Sequence, residues 1–214
     1  GLAVVLRERV SLSVAGRASV PLALGGGLTL TLLNGQFLEE LVATFNQALA
    51  RLEQDLQQEG SGQLAFNSLA VPQVAALLAT GNAVIALLSL MLGRYWQAAL
   101  YNPGGFGGEF RALRLPTGAV VAMALAAGAL WWMGPGWRVW SAAAVLPLTI
   151  AGFALVHAYA ARANKGVAWL TLMYVLWIVL DPVKWVWVGC VVVDAFADFR
   201  ARWANPTGKG SGGA

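Results

Sequence analysis

Charged residues are scarce in this chain of 214 residues, and chemically reactive side chains are scarcer still. Asp, Glu, Lys and Arg make up 11% of the sequence, against about 25% in typical soluble domains. The chain holds one cysteine and one histidine, which excludes an intrachain disulfide and any metal site that needs several of these ligands. No H-E-x-x-H or G-x-S-x-G motif occurs, so the sequence predicts no catalytic residue, metal or cofactor.

Hydrophobic residues are abundant, at 58% of the chain, against roughly 45–50% in soluble domains. The net charge of +4 comes without a basic block, so no nucleic-acid partner is expected. These proportions exclude a disordered chain, a disulfide scaffold and a typical soluble enzyme. They predict an all-α fold, a polytopic transmembrane helix bundle whose main partner is the lipid bilayer.

The stretches between consecutive charged residues predict where the membrane spans lie, because a transmembrane helix needs about 20 apolar residues. Proline suits the first turn of a helix, and Pro72 and Pro116 stand near the start of two such stretches. The prediction is about six spans, at residues 18–38, 71–93, 115–134, 139–161, 166–180 and 182–199.

The last two spans share one apolar region with a break in its middle. As one straight helix, residues 166–199 would reach about 50 Å, well beyond a hydrocarbon core of about 30 Å. Asp181-Pro182 lies at the centre, and Asp followed by Pro favours the start of a new helix. We therefore favour a hairpin, and a single kinked helix is the alternative.

The distribution of basic residues predicts the orientation, because Lys and Arg accumulate in short cytoplasmic loops. With six spans, eleven Lys and Arg residues fall on one side, and only Arg51, Arg138 and Lys184 fall on the other. Both termini of this chain are therefore expected to be cytoplasmic. The outer boundary carries a tryptophan belt of Trp131, Trp132, Trp137, Trp140 and Trp185.

An amphipathic helix is predicted over residues 36–59, on the outer side of the membrane. Its apolar residues recur at spacings of three and four, the period of one helix face. They are Leu38, Leu41, Phe45, Leu49, Leu52 and Leu56. We favour a helix that packs on the bundle or rests in the membrane interface, and a partner-binding helix is the alternative.

A glycine-rich cytoplasmic loop is predicted over residues 101–114. Such loops can present backbone N–H groups to an anion, with basic residues nearby. The candidate ligand- or partner-binding residues are Asn102, Gly104, Gly105, Gly107, Gly108, Arg111 and Arg114. The favoured interpretation is nevertheless a flexible connection without a ligand, because glycine is common in turns.

Three polar residues inside the predicted spans are further candidates, because ionisable groups at membrane depth are often functional. His157 and Asp194 lie at similar depths, roughly 7–9 Å from the inner boundary, and could pair. We favour separate contacts with headgroups or water. Asn82 lies deepest in the second span, and an interhelical hydrogen bond is favoured over a ligand contact.

Small residues repeat every four positions at Gly118, Ala122 and Ala126. This spacing lets membrane helices approach closely. The repeat predicts tight packing within the bundle, and the same repeat would also serve a homo-oligomer.

Two segments resemble a known family. RYWQAALYNPGGFGGEFRALRL at residues 94–115 and VDAFADFR at residues 193–200 resemble the central signature and the ending of the YybS-like family, proteobacterial membrane proteins of unknown function. The resemblance implies a multi-pass protein of the bacterial inner membrane that lacks an N-terminal portion of the full-length members. The apolar residues before Arg7 are likewise interpreted as the tail of an earlier hydrophobic segment.

The family is distantly similar to the six-helix substrate-binding subunits of energy-coupling-factor vitamin transporters, and it has no established catalytic residues. The first hypothesis is therefore a small-molecule binding or transport subunit that works with a membrane or cytoplasmic protein partner. It predicts a polar-lined cavity open to the outer side. The alternative is a non-catalytic scaffold or assembly factor, which predicts a packed bundle without a cavity. An enzyme is disfavoured, because acid–base chemistry would need more convergent titratable groups.

Overall fold

The structure, a computed structural model, describes residues 19–21, 25–29, 32–33, 35–58 and 67–204. This part of the chain is helical and contains no strand, which confirms the all-α prediction. The helices are α1 (Gly35–Gln58), α2 (Val71–Tyr101), α3 (Gly105–Ala112), α4 (Thr117–Trp132), α5 (Pro135–Arg162), α6 (Val167–Val179), α7 (Asp181–Ala197) and α8 (Phe199–Ala204).

The described residues provide two to four membrane spans, so the prediction of six was too high. Helices α2 and α5 are each long and apolar enough to cross a membrane. Helices α3 and α4 form a pair bent by 68°, and α6 and α7 form a pair bent by 114°. Each bent pair could cross as one broken span or enter the membrane as a re-entrant segment. The predicted span at 18–38 lies partly outside the described residues.

The overestimate has a physical reason, which is that charge-free stretches include turn residues. Helices α4, α6 and α7 contain 16, 13 and 17 residues, so each is about 20–25 Å long, short of a hydrocarbon core of about 30 Å. The chain leaves the helical conformation at residues 113–116, at 133–134 and at Leu180. The break predicted beside Asp181-Pro182 is present, and the 114° bend excludes a single straight helix.

Glycine and proline define the boundaries of the long helices. Proline occupies the first turn of α2, α5 and α7, where no N–H partner is lost. Gly134 joins α4 to α5 with φ of +108°, a conformation that side chains disfavour. At the start of α2 the Gln73 side chain accepts a hydrogen bond of 2.8 Å from the Ala70 N–H, which satisfies one of the donors left over at a helix end.

Helix α5 is the centre of the bundle and contacts α2, α3, α4, α6 and α7. Its contacting faces are built largely from small buried residues, among them Ala143, Ala144, Ala151, Gly152 and Ala154. Small side chains let helix backbones approach closely, which is a main source of packing energy inside a membrane. The bundle is therefore organised around one helix of low side-chain volume.

The repeat of Gly118, Ala122 and Ala126 does not take part in this packing. All three residues are exposed on α4, so the prediction that they pack within the bundle is wrong for the described residues, and the alternative, a homo-oligomer seam, stays a prediction. The α4 residues that do face the core are the larger Val120 and Met123, together with Ala127. The spacing of four residues correctly placed these three residues on one face of a helix. It could not tell whether that face points into the bundle.

Helix α6 is peripheral, because none of its residues is buried. Aromatic rings hold it to the bundle. Phe153 of α5 contacts Tyr174 and Trp177 of α6 at ring-centroid distances of 5.0 and 5.1 Å, and Trp187 of α7 at 4.6 Å. One phenylalanine thus joins three helices.

The amphipathic helix predicted at residues 36–59 corresponds to α1. Leu38 is buried against Ala75, Ala76 and Trp140. Asn46 exchanges two hydrogen bonds with the main chain of Leu69, donating at 3.0 Å and accepting at 2.8 Å. These contacts fix α1 beside the start of α2.

The helices give the bundle two chemically different ends. Arg94, Arg111, Arg114, Arg162 and Arg200 define the arginine end, where side chains join α2 to α3 and α5 to α8. The opposite, tryptophan end is defined by Trp131, Trp132, Trp137, Trp140 and Trp185, at the end of α4 and the starts of α5 and α7.

The contact between α5 and α7 yields a prediction. A Cβ atom on Gly152 would lie 3.4 Å from the Trp187 ring and 3.5 Å from Val191, so Gly152→Leu overpacks this contact and destabilises the bundle by about 1–3 kcal/mol. Gly128→Leu on α4 is the matched control, because a Cβ there meets nothing within 4 Å. Thermal unfolding in detergent should show a lower melting temperature for Gly152→Leu alone. Equal melting temperatures for the two variants would contradict the packing described.

Candidate functional site

The residues singled out in the sequence do not form one site. His157 hydrogen-bonds to the Tyr174 hydroxyl at 2.7 Å between Nε2 and Oη, and its ring contacts Phe110 at 5.4 Å. Asp194 is buried and faces Arg200 and Arg114 instead. The two residues therefore do not pair, because His157 faces α3 and α6 while Asp194 faces α8 and the connection between α3 and α4. Neither relies on water or headgroups alone.

Asp194 belongs to an arginine–aspartate cluster, which we define as Arg114, Asp194, Asp198 and Arg200. Arg114 Nη1 donates a hydrogen bond of 2.7 Å to Asp198 Oδ1. Arg200 Nη2 lies 3.6 Å from Asp194 Oδ2. The Asp194 carboxylate also accepts the N–H of Phe199 at 3.1 Å. Both acidic groups are thus engaged by neighbouring protein groups.

The cluster fastens the C-terminal helices to the chain between α3 and α4. Arg200 Nη1 donates hydrogen bonds of 2.8 Å to the carbonyl oxygens of Arg111 and Leu113. The hydrogen bond from Arg114 lowers the pKa of Asp198, so this carboxyl stays ionised. Burial lowers the pKa of Arg200, although a guanidinium remains charged at any physiological pH. This arrangement is typical of a structural contact that holds α7 and α8 against the connection between α3 and α4.

The prediction of a flexible loop across residues 101–114 is wrong, because Gly105–Ala112 form helix α3. Packing provides the reason. Phe106 contacts Tyr95 at a centroid distance of 5.8 Å, and Glu109 accepts a hydrogen bond of 2.7 Å from Arg94. Glycine composition predicts local flexibility, but these contacts with α2 are non-local.

Gly104 and Gly105 have structural roles at the start of α3. Gly104 adopts φ of +83° as it leads into α3. The chain turns just before this helix, and the Gly105 N–H donates a hydrogen bond of 2.9 Å to the Asn102 carbonyl oxygen. A side chain on Gly105 would collide with the Asn102 side chain. A Cβ on Gly107 would lie 3.3 Å from the Arg111 guanidinium. Gly108 is exposed.

Asn82 is also exposed on α2. It therefore does not serve as a hydrogen-bonding residue inside the described bundle, contrary to the favoured interpretation of the sequence. Its depth in the helix was predictable, but the face on which it lies depends on how α2 packs.

A cavity at the tryptophan end was missed by sequence reasoning. Its volume is about 410 Å³, and it lies among residues 25–29, the end of α4 and the starts of α2 and α5. This tryptophan-end cavity is lined by Leu28, Ala70, Pro72, Leu130, Gly136, Trp137 and Trp140. The lining is apolar, so the expectation of a polar-lined cavity is not met.

Small residues and indole rings together produce this cavity. A Cβ on Gly27 would overlap the Trp140 ring, lying 2.8 Å from its Cζ3 atom, so glycine alone permits this close approach. A Cβ on Gly136 meets no atom within 4 Å, so this wall is left open. The sequence signal was small Gly136 beside bulky Trp137 and Trp140, but the lining also includes Leu28 and Ala70, which are distant in sequence.

The chemistry available to the cavity is burial of an apolar molecule. Among the described residues its lining contains no ionisable side chain, so the walls supply no general acid or base. Within the described ranges, no group of three or more His, Cys, Asp and Glu residues is arranged to hold a metal ion. Indole rings offer large, rigid apolar surfaces at low entropic cost.

Comparisons with protein-family models, with curated proteins and with solved structures find no match to this chain. The resemblance to the YybS-like family stays a prediction. The functional argument therefore depends on the helices, their two ends and the cavity.

The arginine–aspartate cluster yields a prediction about stability. Arg200 is 15% exposed and Asp194 only 7%, so Asp194→Asn leaves a largely buried guanidinium without its countercharge and costs roughly 2–4 kcal/mol. The melting temperature in detergent should fall by roughly 5–10 °C. Asp181→Asn is the control, because Asp181 is 85% exposed and an exposed ion pair contributes about 0–1 kcal/mol. An unchanged melting temperature in Asp194→Asn would contradict the structural role of the cluster.

Proposed function

We propose that this chain is a multi-pass protein of the bacterial inner membrane that binds a predominantly apolar small molecule in the tryptophan-end cavity. The observation that carries this proposal is the cavity itself. Its volume of about 410 Å³ lies within the roughly 300–1,000 Å³ of small-molecule sites, which are likewise mostly apolar. A ligand bound there gains from burial of apolar surface rather than from hydrogen bonds.

The position of the cavity supports access from one side of the membrane. Its walls include the first residues of α2 and α5 and the last turn of α4, so it lies near the membrane boundary at the tryptophan end. Tryptophan is enriched at such boundaries, where one side of the ring is apolar and the other meets polar groups. A ligand could therefore enter from the interface.

The basic residues support an orientation with the arginine end in the cytoplasm. Arg94, Arg111, Arg114, Arg162 and Arg200 lie at that end, whereas Arg138 and Lys184 lie at the tryptophan end. Cytoplasmic loops carry the excess of Lys and Arg. In this orientation the C-terminus of the chain is cytoplasmic and the cavity faces outward.

In transport, the proposed role of this chain is to bind the transported molecule rather than to catalyse a reaction. The similarity of the YybS-like family to energy-coupling-factor substrate-binding subunits suggests the class, but a likeness at the level of fold alone is a weak argument for function. In that class a second protein supplies the energy, so a membrane or cytoplasmic partner is part of the proposal. The arginine end, with its exposed Arg111 and Arg202, is the side on which such a partner would act.

The test is saturable labelling by an apolar probe, a small aryl diazirine that forms a carbene in light. The full chain in nanodiscs should be labelled at Trp137 and Pro72, and an excess of a non-photoactive analogue should suppress this labelling. Gly136→Trp fills the cavity, since Gly136 lines it and has free space beside it. This variant should lose the saturable labelling at least tenfold, as mapped by mass spectrometry.

The matched control is Gly128→Trp, which adds the same ring where a Cβ also meets nothing within 4 Å, outside the cavity. It should label as the wild type does. Labelling that never saturates, or that Gly136→Trp leaves unchanged, would show that the probe simply dissolves in the surrounding lipid.

A scaffold that binds a protein partner is the second candidate, and the uncovered face of α1 favours it. Leu38 at one end of this face is buried, but Phe45 and Leu52 on the same face are 46% and 47% exposed. An amphipathic helix with an open apolar face can dock into a partner's groove.

The scaffold predicts that a stoichiometric protein partner co-purifies from native membranes through α1. Phe45→Asp and Leu52→Asp should each remove that partner, because a charge on the docked face would be buried without a countercharge. Gln54→Asp is the control, since Gln54 is exposed on the opposite face of α1. Retention of the partner by all three variants would contradict docking through α1.

A further inference from the structure

A second cleft lies at the tryptophan end, on a different face of α5. Its volume is about 360 Å³, and it separates the end of α4 from the first half of α7. This α4–α7 cleft is lined by Trp131, Ser141, Ala142, Val145, Asp181, Lys184, Trp185 and Val188. None of these residues lines the tryptophan-end cavity, so the two spaces are separate.

Two cationic side chains lie at the α4–α7 cleft: Lys184 lines it, and Arg138 lies against the lining residue Trp131. The Arg138 guanidinium lies over the Trp131 ring at 4.9 Å from its centroid. Lys184 Nζ lies 2.6 Å from Asp181 Oδ1 and 5.6 Å from the centroid of the Trp177 ring. Only Lys184 contacts the Asp181 carboxylate, which is 85% exposed. Arg138 and Lys184 together with Asp181 carry a net charge of +1.

Apart from Ser141, the rest of the cleft lining is apolar and aromatic. Trp131 and Trp185 meet edge to face at a centroid distance of 5.5 Å. Ala142, Val145 and Val188 form the remaining apolar surface. The cleft thus combines a net positive rim with an apolar floor, the two properties that a charged headgroup and an acyl chain require.

We propose that the α4–α7 cleft binds an anionic phospholipid. Its phosphate lies between Arg138 and Lys184, and one acyl chain lies against Ala142, Val145 and Val188. A planar guanidinium can donate two hydrogen bonds to phosphate oxygens, while an ammonium acts as a point charge. The exposed Asp181 exchanges its Lys184 contact for water when the phosphate arrives. This site is independent of the proposed function, because it shares no lining residue with the tryptophan-end cavity.

The test measures lipid binding to the full chain by native mass spectrometry from detergent. Phosphatidylglycerol is the anionic probe and phosphatidylcholine the zwitterionic one. The wild type should bind its first phosphatidylglycerol more tightly than its first phosphatidylcholine. Arg138→Gln and Lys184→Gln should each lower the affinity for phosphatidylglycerol about fivefold, the factor expected for one basic residue beside an anionic lipid. Phosphatidylcholine binding should not change.

Arg51→Gln is the charge control, because it removes the same charge from an exposed position on α1 that does not line the cleft. It should bind both lipids as the wild type does. Ala142→Trp fills the apolar floor and should lower the affinity for phosphatidylglycerol. Ala126→Trp, on the exposed face of α4, should leave that affinity unchanged. Unchanged melting temperatures would show that the variants are folded.

Two further probes identify the source of the anion. Stearate carries a carboxylate on an acyl chain, and inorganic phosphate carries no chain. If Arg138→Gln and Lys184→Gln weakened the binding of stearate fivefold but left the binding of phosphatidylglycerol unchanged, the phosphate assignment would be overturned. Displacement of phosphatidylglycerol by inorganic phosphate alone would overturn the requirement for an acyl chain. Equal wild-type affinity for the two phospholipids, or an equal loss in Arg51→Gln, would overturn the site itself.

Discussion

Close packing against the small-residue surface of α5 is the constraint on which the rest of this structure depends. Inside a membrane, apolar side chains gain little by leaving lipid, so helices associate through close contact and directed polar bonds. Ala143, Ala144, Ala151 and Gly152 allow α2, α4 and α7 to approach α5 from different directions. Helix α6 lacks such an interface and depends on aromatic contacts with Phe153 instead. The bundle is therefore close-packed around α5, whereas α6 contributes no buried residue.

The two ends of the bundle differ in side-chain chemistry and in how completely they are packed. At the arginine end, hydrogen bonds and ion pairs engage the groups of the arginine–aspartate cluster, while Arg111 and Arg202 stay exposed at the surface. At the tryptophan end, bulky indole rings beside residues as small as Gly136 cannot fill space completely. The tryptophan-end cavity and the α4–α7 cleft therefore both lie at this end. The small-molecule and phospholipid proposals fall at that end for this reason.

Much of the helical organisation could be predicted from the sequence, because it depends on local chemistry. Apolar composition indicated a helical membrane protein, and Pro72 and Asp181-Pro182 indicated helix starts that the structure contains. The number of spans could not be predicted from charge spacing, because turn residues are as uncharged as helical ones. Helix α3 was missed because Phe106 and Glu109 are held by α2, a contact that glycine content does not reveal.

The sequence by itself determined that the chain is helical and apolar, where its helices break, and which segments carry its basic residues and tryptophans. These properties follow from composition and spacing, which are local along the chain. Only the tertiary structure decided that His157 meets Tyr174, that Asp194 meets Arg200, and that Asn82 faces outward. It also decided that Ala70 and Gly136 face one cavity. These outcomes depend on the rotation of each helix about its axis, which is fixed by packing between segments distant in sequence.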